Sequence, residues 1–237
     1  MAEQFYAAKK YRYAQQLYEE LFAFKKGTTD FENMYYKYAY CAYYLEDYAN
    51  AENLFKTYIE SFPNSAKTEE CEYMRAFCYY KQSPKIELDQ TNTTKTIGQM
   101  QAFINTHPNS PRNKDATDII DKSRAKLEGK EYKSAELYYN LGYYKAAAIA
   151  YATLMEDFPD SDKSDEYKLK VIQAYFKYAE MSIEEKQSER YAKVLTEVVD
   201  FKERFPQSKY ADEVERFRSL SNNYINKNKN EQVKKAA

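Results

Sequence analysis

Apolar residues in this chain recur at helical spacing and stop at prolines. In one segment they follow each other at steps of three and one: Ala51, Leu54, Phe55, Tyr58, Ile59 and Phe62. This spacing places them on one stripe of an α-helix. Because proline lacks an N–H and disfavours helical geometry in the residue before it, Pro63 should end the helix. The polar residue and the serine that follow are expected to cap the next helix.

The same block recurs five times, which makes the chain an internal repeat. Its copies begin at Tyr11, Tyr48, Thr93, Tyr144 and Tyr191. Four of them close on an aromatic residue, a proline, a polar residue and a serine: Phe62–Ser65, His107–Ser110, Phe158–Ser161 and Phe205–Ser208. One such unit cannot bury its apolar face alone, so neighbouring units must stack.

Segments between the blocks supply a partner helix for each unit. The predicted partner helices are Glu32 to Leu45, Glu69 to Lys81, Ser134 to Leu141 and Tyr167 to Met181. With Pro63 as the terminal proline, the register fits a tetratricopeptide unit, which needs a small residue where its paired helices cross. The small residues are Ala39, Ala76, Ala135 and Ala174. A HEAT-type solenoid is the alternative.

The predicted fold class is therefore all-α, an α-solenoid of about five tetratricopeptide-like helix pairs with a C-terminal capping helix. The predicted units are 1–28, 29–65, 66–110, 111–161 and 162–208, followed by a cap at 209–225. Residues 226–237 are rich in Lys and Asn and poor in apolar residues, and we predict a disordered tail there.

Composition narrows the class of function. Only 4 glycines and 6 prolines occur in 237 residues, and the formal net charge is −1, which argues against the basic surface of a nucleic-acid-binding protein. No apolar run approaches the roughly 18 residues of a membrane span. We predict no nucleic-acid partner and no membrane-spanning segment.

Candidate chemistry is sparse. Cys41, Cys71 and Cys78 show no CxxC spacing, and we interpret them as half-buried small apolar side chains, without a metal or a disulfide. The single histidine, His107, stands where other copies have Phe, so we interpret it as a packing residue. Phosphate-binding loops, GxSxG and HExxH motifs do not occur. The sequence predicts a binding scaffold with no catalytic residue, cofactor or metal.

The 27 tyrosines indicate what is bound. The second, fifth, ninth and twelfth positions of a tetratricopeptide unit face its concave groove. In two consecutive units these groove residues are Asn33, Tyr36, Tyr40, Tyr43, Glu70, Tyr73, Phe77 and Tyr80. Six of the eight are aromatic, which suits a peptide with aromatic side chains. The alternative is that several of these rings belong to the core.

Several segments together resemble the BamD (ComL) family, lipoproteins of the outer-membrane β-barrel assembly machinery. They are Glu72-Tyr73-Met74-Arg75-Ala76, the His-Pro-Asn-Ser turn at 107–110, Tyr132 to Tyr139, and Tyr143 to Ala147. The resemblance spans nearly the whole chain. The Pro-x-Ser turns occur in many bacterial repeat proteins, whereas the segment from Tyr132 to Ala147 is more specific.

The resemblance implies a periplasmic protein held at the outer membrane by an N-terminal lipid. It also implies partners: BamA and other machinery subunits, and the C-terminal segments of unfolded outer-membrane proteins. The N-terminal repeats would receive the substrate, and the region from Tyr144 to Tyr224 would contact BamA. Since the first cysteine is Cys41, we expect the signal peptide and the lipidated cysteine upstream of Met1.

Two other functions stay open on the sequence. A cell-envelope adaptor of the division or Tol-Pal type shares the Phe-Pro-x-Ser-Lys-Tyr-Ala pattern of Phe205 to Ala211, although the N-terminal coiled coil usual there is not visible. A cytosolic co-chaperone-like binder of acidic C-termini would need Lys, Arg and Asn where this chain has Tyr and Phe.

Overall fold

The computed structural model describes residues 1–236, and their side chains except at Thr29 and 228–236. The described residues form eleven helices and no strand. The helices are α1 (Ala2–Ala7), α2 (Tyr11–Lys25), α3 (Thr29–Tyr44), α4 (Tyr48–Ser61), α5 (Thr68–Gln82), α6 (Thr91–Thr106), α7 (Asn113–Asn140), α8 (Tyr144–Asp157), α9 (Ser164–Glu180), α10 (Glu184–Arg204) and α11 (Ala211–Ala236). Among the described helices, none is long and apolar enough to cross a membrane.

The predicted all-α fold of helix pairs is confirmed. Each predicted unit contains two successive helices, from α1 and α2 in the first to α9 and α10 in the fifth. α11 follows as the last helix and packs on α10 and α9.

The chain divides into two compact units, Met1–Leu127 (unit 1) and Glu128–Ala237 (unit 2). The division falls inside α7. Within unit 1, successive helices from α1 to α6 pack on each other, and α8 to α11 do the same in unit 2. A single continuous solenoid over residues 1–225 stays a prediction.

The apolar stripe of α4 shows why these segments fold as helices. Ala51, Phe55 and Tyr58 are fully buried, in agreement with the periodicity. The helix ends at Phe62, directly before Pro63. His107, Phe158 and Phe205 end α6, α8 and α10 in the same way. The prolines therefore end these helices as predicted.

The serine of each turn does not cap the next helix, and this part of the prediction is wrong. The N-caps of α5 and α9 are Lys67 and Lys163, without a side-chain capping bond. The serine hydroxyl instead donates to a carboxylate on the first helix of its own pair. The bonds are Ser65 to Glu32 (2.6 Å), Ser110 to Glu69 (2.6 Å), Ser161 to Glu128, and Ser208 to Asp165 (2.6 Å).

The same serine oxygen accepts the backbone N–H two residues later, as in Lys67 N to Ser65 Oγ at 3.1 Å. Arg112, Lys163 and Tyr210 repeat this bond at the other three turns. We call this arrangement the serine latch. The second helix of a pair brings the chain back to the end of the pair at which the first helix began. The serine latch therefore joins the end of the second helix to the first helix.

The alanines predicted at the helix crossings are all fully buried, which confirms their role: Ala39, Ala76, Ala135 and Ala174. A larger side chain there would hold the paired helices apart. Large buried aromatic residues share the core clusters of these alanines. They are Phe55 and Tyr58 in unit 1, and Tyr151 in unit 2.

The cysteines are more deeply buried than the half-buried positions predicted for them. Cys41, Cys71 and Cys78 are free and fully buried. Burial raises the pKa of Cys41 and of Cys78 to about 12, and raises that of Cys71 as well. The thiols therefore stay protonated at neutral pH and pack as small apolar groups.

Two predicted boundaries are corrected. The helix predicted from Ser134 to Leu141 begins much earlier, since α7 starts at Asn113 and passes through Gly129, whose cost in a helix is only about 1 kcal/mol. The tail predicted as disordered over 226–237 is helical to Ala236 as a continuation of α11, because neither Gly nor Pro follows Pro206 to end the helix. Ala237 lies outside the described residues.

Candidate peptide-binding groove

The eight groove residues lie on two helices that share one core cluster in unit 1. α3 carries Asn33, Tyr36, Tyr40 and Tyr43, and α5 carries Glu70, Tyr73, Phe77 and Tyr80. Tyr40 and Tyr73 are buried, with 8% and 7% of their surface exposed. Asn33 is exposed and the other five are half-buried. Four rings, those of Tyr36, Tyr43, Phe77 and Tyr80, are thus partly open to solvent.

Glu70 connects the two helices. Tyr36 donates its hydroxyl to Glu70 Oε2 at 2.8 Å, and Tyr40 donates to Glu70 Oε1 at 2.9 Å. Because both hydroxyls are used on the carboxylate, the rings are fixed in place and offer their faces and edges to a ligand.

A line of aromatic contacts continues along the same residues. The rings of Tyr36 and Tyr40 lie 4.8 Å apart, and those of Tyr43 and Phe77 lie 6.3 Å apart across the two helices. On α5, Phe77 stacks against Tyr73 at 5.9 Å and contacts Tyr80 at 5.8 Å. The structure therefore brings the six predicted aromatic residues into one connected group.

Two cations complete the surface, and the sequence analysis missed both. Lys67 Nζ lies 4.6 Å from the centre of the Tyr36 ring and donates to Asn33 Oδ1 at 2.7 Å. Arg112 repeats this one unit later, 5.0 Å from the Tyr73 ring, and donates to Glu70 at 2.9 Å. Each cation therefore contacts two groove residues of the preceding unit, those at its second and fifth positions.

The signal that could have found these cations is in the repeat itself. Lys67 and Arg112 both stand two residues after the serine of the turn, in the pattern Pro-x-Ser-x-Lys/Arg. Lys163 occupies the same place at the start of the fifth unit. The turn places this residue at the start of the first helix of the following unit. Its side chain can therefore reach back over the first helix of the unit before it.

Burial raises the pKa of Tyr36, and the hydrogen bond to Glu70 raises it further. Burial is also the main cause that raises the pKa of Tyr40, with contributions from Tyr36 and Glu70. Both hydroxyls therefore stay protonated through the physiological range and act as donors. The arrangement supplies apolar area, hydroxyl dipoles and two cations, which suits recognition of a peptide.

His107 has a second contact beside its packing role. Its ring lies 5.1 Å from that of Phe103, as expected for a residue in the place of Phe. Its Nε2 atom also lies 2.6 Å from Glu72 Oε2 on α5. The pair links the end of α6 to α5. No group of His, Cys, Asp and Glu among the described residues is arranged to hold a metal ion.

Comparison with known proteins identifies the family. The model of the YfiO family, described as outer membrane lipoprotein, matches residues 1–195. The chain belongs to this family. The matched part holds the whole of unit 1 and reaches into α10, so both the groove residues and the cations lie within it.

Individual relatives agree with the family. The chain is 24% identical over 136 residues to the outer membrane protein assembly factor BamD of Caulobacter vibrioides, covering 57% of this chain and 45% of that protein. It is 25% identical over 131 residues to a putative BamD of Aquifex aeolicus, covering 55% and 43%. The chain spans less than half the length of these relatives in the aligned parts. The predicted resemblance to the BamD family is confirmed.

One solved structure aligns over most of the chain. It is the TPR2AB-domain:pHSP90-complex of yeast Sti1, at 15% identity and a TM-score of 0.41, covering 93% of this chain and 95% of that one. At this level of similarity the alignment carries no argument about function.

Proposed function

We propose that this protein is a non-enzymatic scaffold of the outer-membrane β-barrel assembly machinery. It receives unfolded outer-membrane proteins through the groove residues of unit 1 and binds BamA through the region from Tyr144 to Tyr224. Membership in a family of outer membrane lipoproteins and the named BamD relatives support this proposal. The same membership supports a place on the periplasmic side of the outer membrane, with a lipid as the attachment.

One observation carries the substrate role: a connected aromatic surface whose polar groups already bind each other. Tyr36 and Tyr40 are fixed by Glu70, so their rings lose little conformational entropy when a ligand binds. The half-open rings of Tyr43, Phe77 and Tyr80 offer apolar area to aromatic side chains. C-terminal segments of unfolded outer-membrane proteins, which end in an aromatic residue, fit this surface.

The same contacts favour binding over catalysis. Lys67 and Arg112 lie over aromatic rings, and the groove carboxylate accepts two tyrosine hydroxyls and a guanidinium. The groups present are donors and ring faces held in fixed positions. Tyr36 and Tyr40 lie beside the carboxylate of Glu70, but their raised pKa values make them poor nucleophiles, so the groove offers fixed binding groups and not an activated nucleophile.

The test measures binding of a labelled peptide that ends in phenylalanine. Since Tyr40 and Tyr73 are buried, the informative changes are at half-open rings, namely Tyr43→Ala and Phe77→Ala together. We expect at least a tenfold loss of affinity, which is about 1.4 kcal/mol. Tyr143→Ala is the matched control, because this tyrosine is 62% exposed and lies in unit 2.

Circular dichroism of each variant shows whether the helices persist. Unchanged affinity of the double variant, with helicity retained, would refute the substrate role. BamA binding is measured separately by co-purification with the full chain. If BamA fails to co-purify with the wild-type chain, the partner part of the proposal is wrong.

A further inference from the structure

Unit 2 contains a cavity of about 420 Å³ that the proposed groove does not include. It lies between the end of α7, the second half of α9 and the middle of α11. Five side chains form its apolar walls: Tyr139, Phe176, Phe217, Leu220 and Tyr224. This volume lies in the range of ligand sites, about 300–1,000 Å³.

Helical spacing explains how the walls arise. On α9 the lining residues follow the steps of one helix face, from Gln173 through Phe176 and Lys177 to Glu180. On α11 they do the same from Glu213 to Tyr224. Each face places apolar side chains inside and charged side chains beside them, since positions three and four apart share a face.

The walls are held by contacts among themselves. Phe176 packs edge-on against Phe217, with ring centres 5.1 Å apart, and lies 6.3 Å from Tyr224. Tyr224 stacks on the buried ring of Tyr191 at 4.8 Å, with an angle of 2° between the planes. Because these rings belong to the core of unit 2, the cavity exists before a ligand arrives.

Charges at the mouth differ in what they already bind. Lys177 pairs with Glu180 at 2.7 Å, and Gln173 donates to Glu213 at 2.9 Å. Both carboxylates therefore have donors from the protein itself. Arg216 is exposed and has no ion pair or hydrogen bond with any residue whose side chain the structure describes. Among the charged side chains that line this mouth, Arg216 is therefore the one without a partner in the part of the chain whose side chains are described.

We propose that this cavity binds a peptide segment in which a large aromatic side chain neighbours a carboxylate. The ring enters between Phe176, Phe217 and Tyr224, and the carboxylate pairs with Arg216. A guanidinium suits this because its parallel N–H groups match the two oxygens of a carboxylate. The site is independent of the groove in unit 1, and the proposal does not rest on the substrate role given to that groove.

The chain contains no tryptophan, so the fluorescence of a tryptophan peptide reports binding directly when excited beyond the tyrosine band. The probe is acetyl-Gly-Trp-Asp-Gly-amide, titrated with the full chain. Its matched partner has Asn in place of Asp, and a third probe, acetyl-Gly-Trp with a free C-terminus, carries the carboxylate on the backbone. We expect saturable binding of both carboxylate probes, about tenfold tighter than that of the Asn peptide.

Variants then assign the binding to the cavity. Arg216→Gln should weaken the Asp peptide about tenfold, to the level of the Asn peptide, and leave the Asn peptide unchanged. Arg218→Gln is the control, because Arg218 lies two residues further on the same helix, outside the cavity, and pairs with Glu215. Phe217→Ala should weaken all three probes, with circular dichroism to verify folding.

Three results would overturn the proposal: no saturable binding of either carboxylate probe, equal affinity of the Asp and Asn peptides, or equal losses for both peptides in Arg216→Gln. Decanoate that displaces the bound peptide at a concentration lower than that of the peptide would also overturn the proposal, because the cavity would then be a fatty-acid site. Binding that is lost in the double variant of Tyr43 and Phe77 but kept in Arg216→Gln would belong to the groove of unit 1 and count against the cavity.

Discussion

Ser65 donates a 2.6 Å hydrogen bond to Glu32, a residue 33 positions earlier at the start of α3. Tyr58 donates to the same carboxylate oxygen at 2.8 Å, and the hydroxyl oxygens of Tyr58 and Ser65 lie 2.8 Å apart. One carboxylate thus binds the last helix turn of α4 and the turn that follows. The second helix of the pair is joined to the first at this point.

Removing the serine hydroxyl should measure the strength of this latch. Ser65→Ala leaves Glu32 with one donor less, and a hydrogen bond to a charged group contributes about 1.5–3 kcal/mol. We expect the free energy of unfolding, measured by urea denaturation, to fall by about that amount. Asn64→Ala is the control, since Asn64 is exposed in the same turn. A loss as large in Asn64→Ala would contradict a specific role for Ser65.

The latch should also make stability depend on pH. Hydrogen bonds from Ser65, and next from Tyr58, lower the pKa of Glu32 below its usual 4.5. The unfolded chain therefore binds the proton more readily than the folded one. This contribution is fully present above pH 4.5 and is lost as the pH falls through the lower folded value.

Urea denaturation of the wild type and of Ser65→Ala at several pH values tests this. Below pH 4.5 the difference in unfolding free energy between the two proteins should shrink, because protonation weakens the bond that the variant lacks. A difference that stays constant across the acid range would show that the carboxylate of Glu32 is not the partner that matters.

Lys168 should be the most sensitive charged residue of unit 2. Its side chain is only 7% exposed and pairs with Glu197 and Asp200 on α10. Burial alone would raise the pKa of Glu197, but hydrogen bonds from Lys168 and Lys193 lower it overall. Lys168→Ala leaves a buried carboxylate with less compensation, and we expect a loss of about 3–5 kcal/mol in unfolding free energy.

Lys193→Ala provides the comparison for Lys168. Lys193 binds the same carboxylate, but 49% of its side chain is exposed, so solvent replaces much of the interaction. Its loss should be below about 1 kcal/mol. Equal losses in the two variants, by urea denaturation, would contradict the importance of burial.

The three cysteines should be unreactive in the folded protein. All three are fully buried, and burial raises their pKa values. At about pH 8.5, where an ordinary thiol is half ionised, a thiol reagent should therefore modify almost none of them within minutes. The same reagent in concentrated denaturant should modify all three. Rapid modification of any one in the native protein would indicate local opening of its helix.

The sequence predicted those features that depend on neighbours along the chain. The stripe from Ala51 to Phe62 and the proline after it determine a helix and its end, because both act within a few residues. The buried positions of Ala39 and Ala76 followed from the repeat register in the same way. Repetition strengthened these predictions, since each pattern occurs several times along the chain.

Features that join residues far apart along the chain were harder to predict. The bond from Ser65 to Glu32 and the contact of Lys67 with Tyr36 link residues more than 30 positions apart, and no local pattern specifies them. Local chemistry misled at Ser65, whose type is common at N-caps, because its oxygen accepts the N–H of Lys67, one residue before α5 begins, and its hydroxyl reaches the distant carboxylate of Glu32. The start of α7 was predicted too late because residues 113–133 are rich in charged side chains and include Gly129, although the turn at 107–110 marks the start.

Of the candidate site, the sequence predicted the residues but not their connections. The six aromatic groove residues form one connected group, whereas their role in binding stays a prediction. Tyr40 and Tyr73 show why burial could not be assigned from position alone: each shares a face with open residues but packs against the second helix, through Phe55 and Phe103 respectively.

The turn after each repeat performs two tasks within five residues. Its serine binds the repeat that it ends, and in two cases the cation two residues later covers a ring of that same repeat. Insertion of a single residue between Ser65 and Lys67 would therefore separate both tasks, whereas excision of one entire helix pair, cut at equivalent serines, would preserve every joint. Changes in the length of such a chain should accordingly be tolerated in whole repeats, and hardly at all in fractions of one.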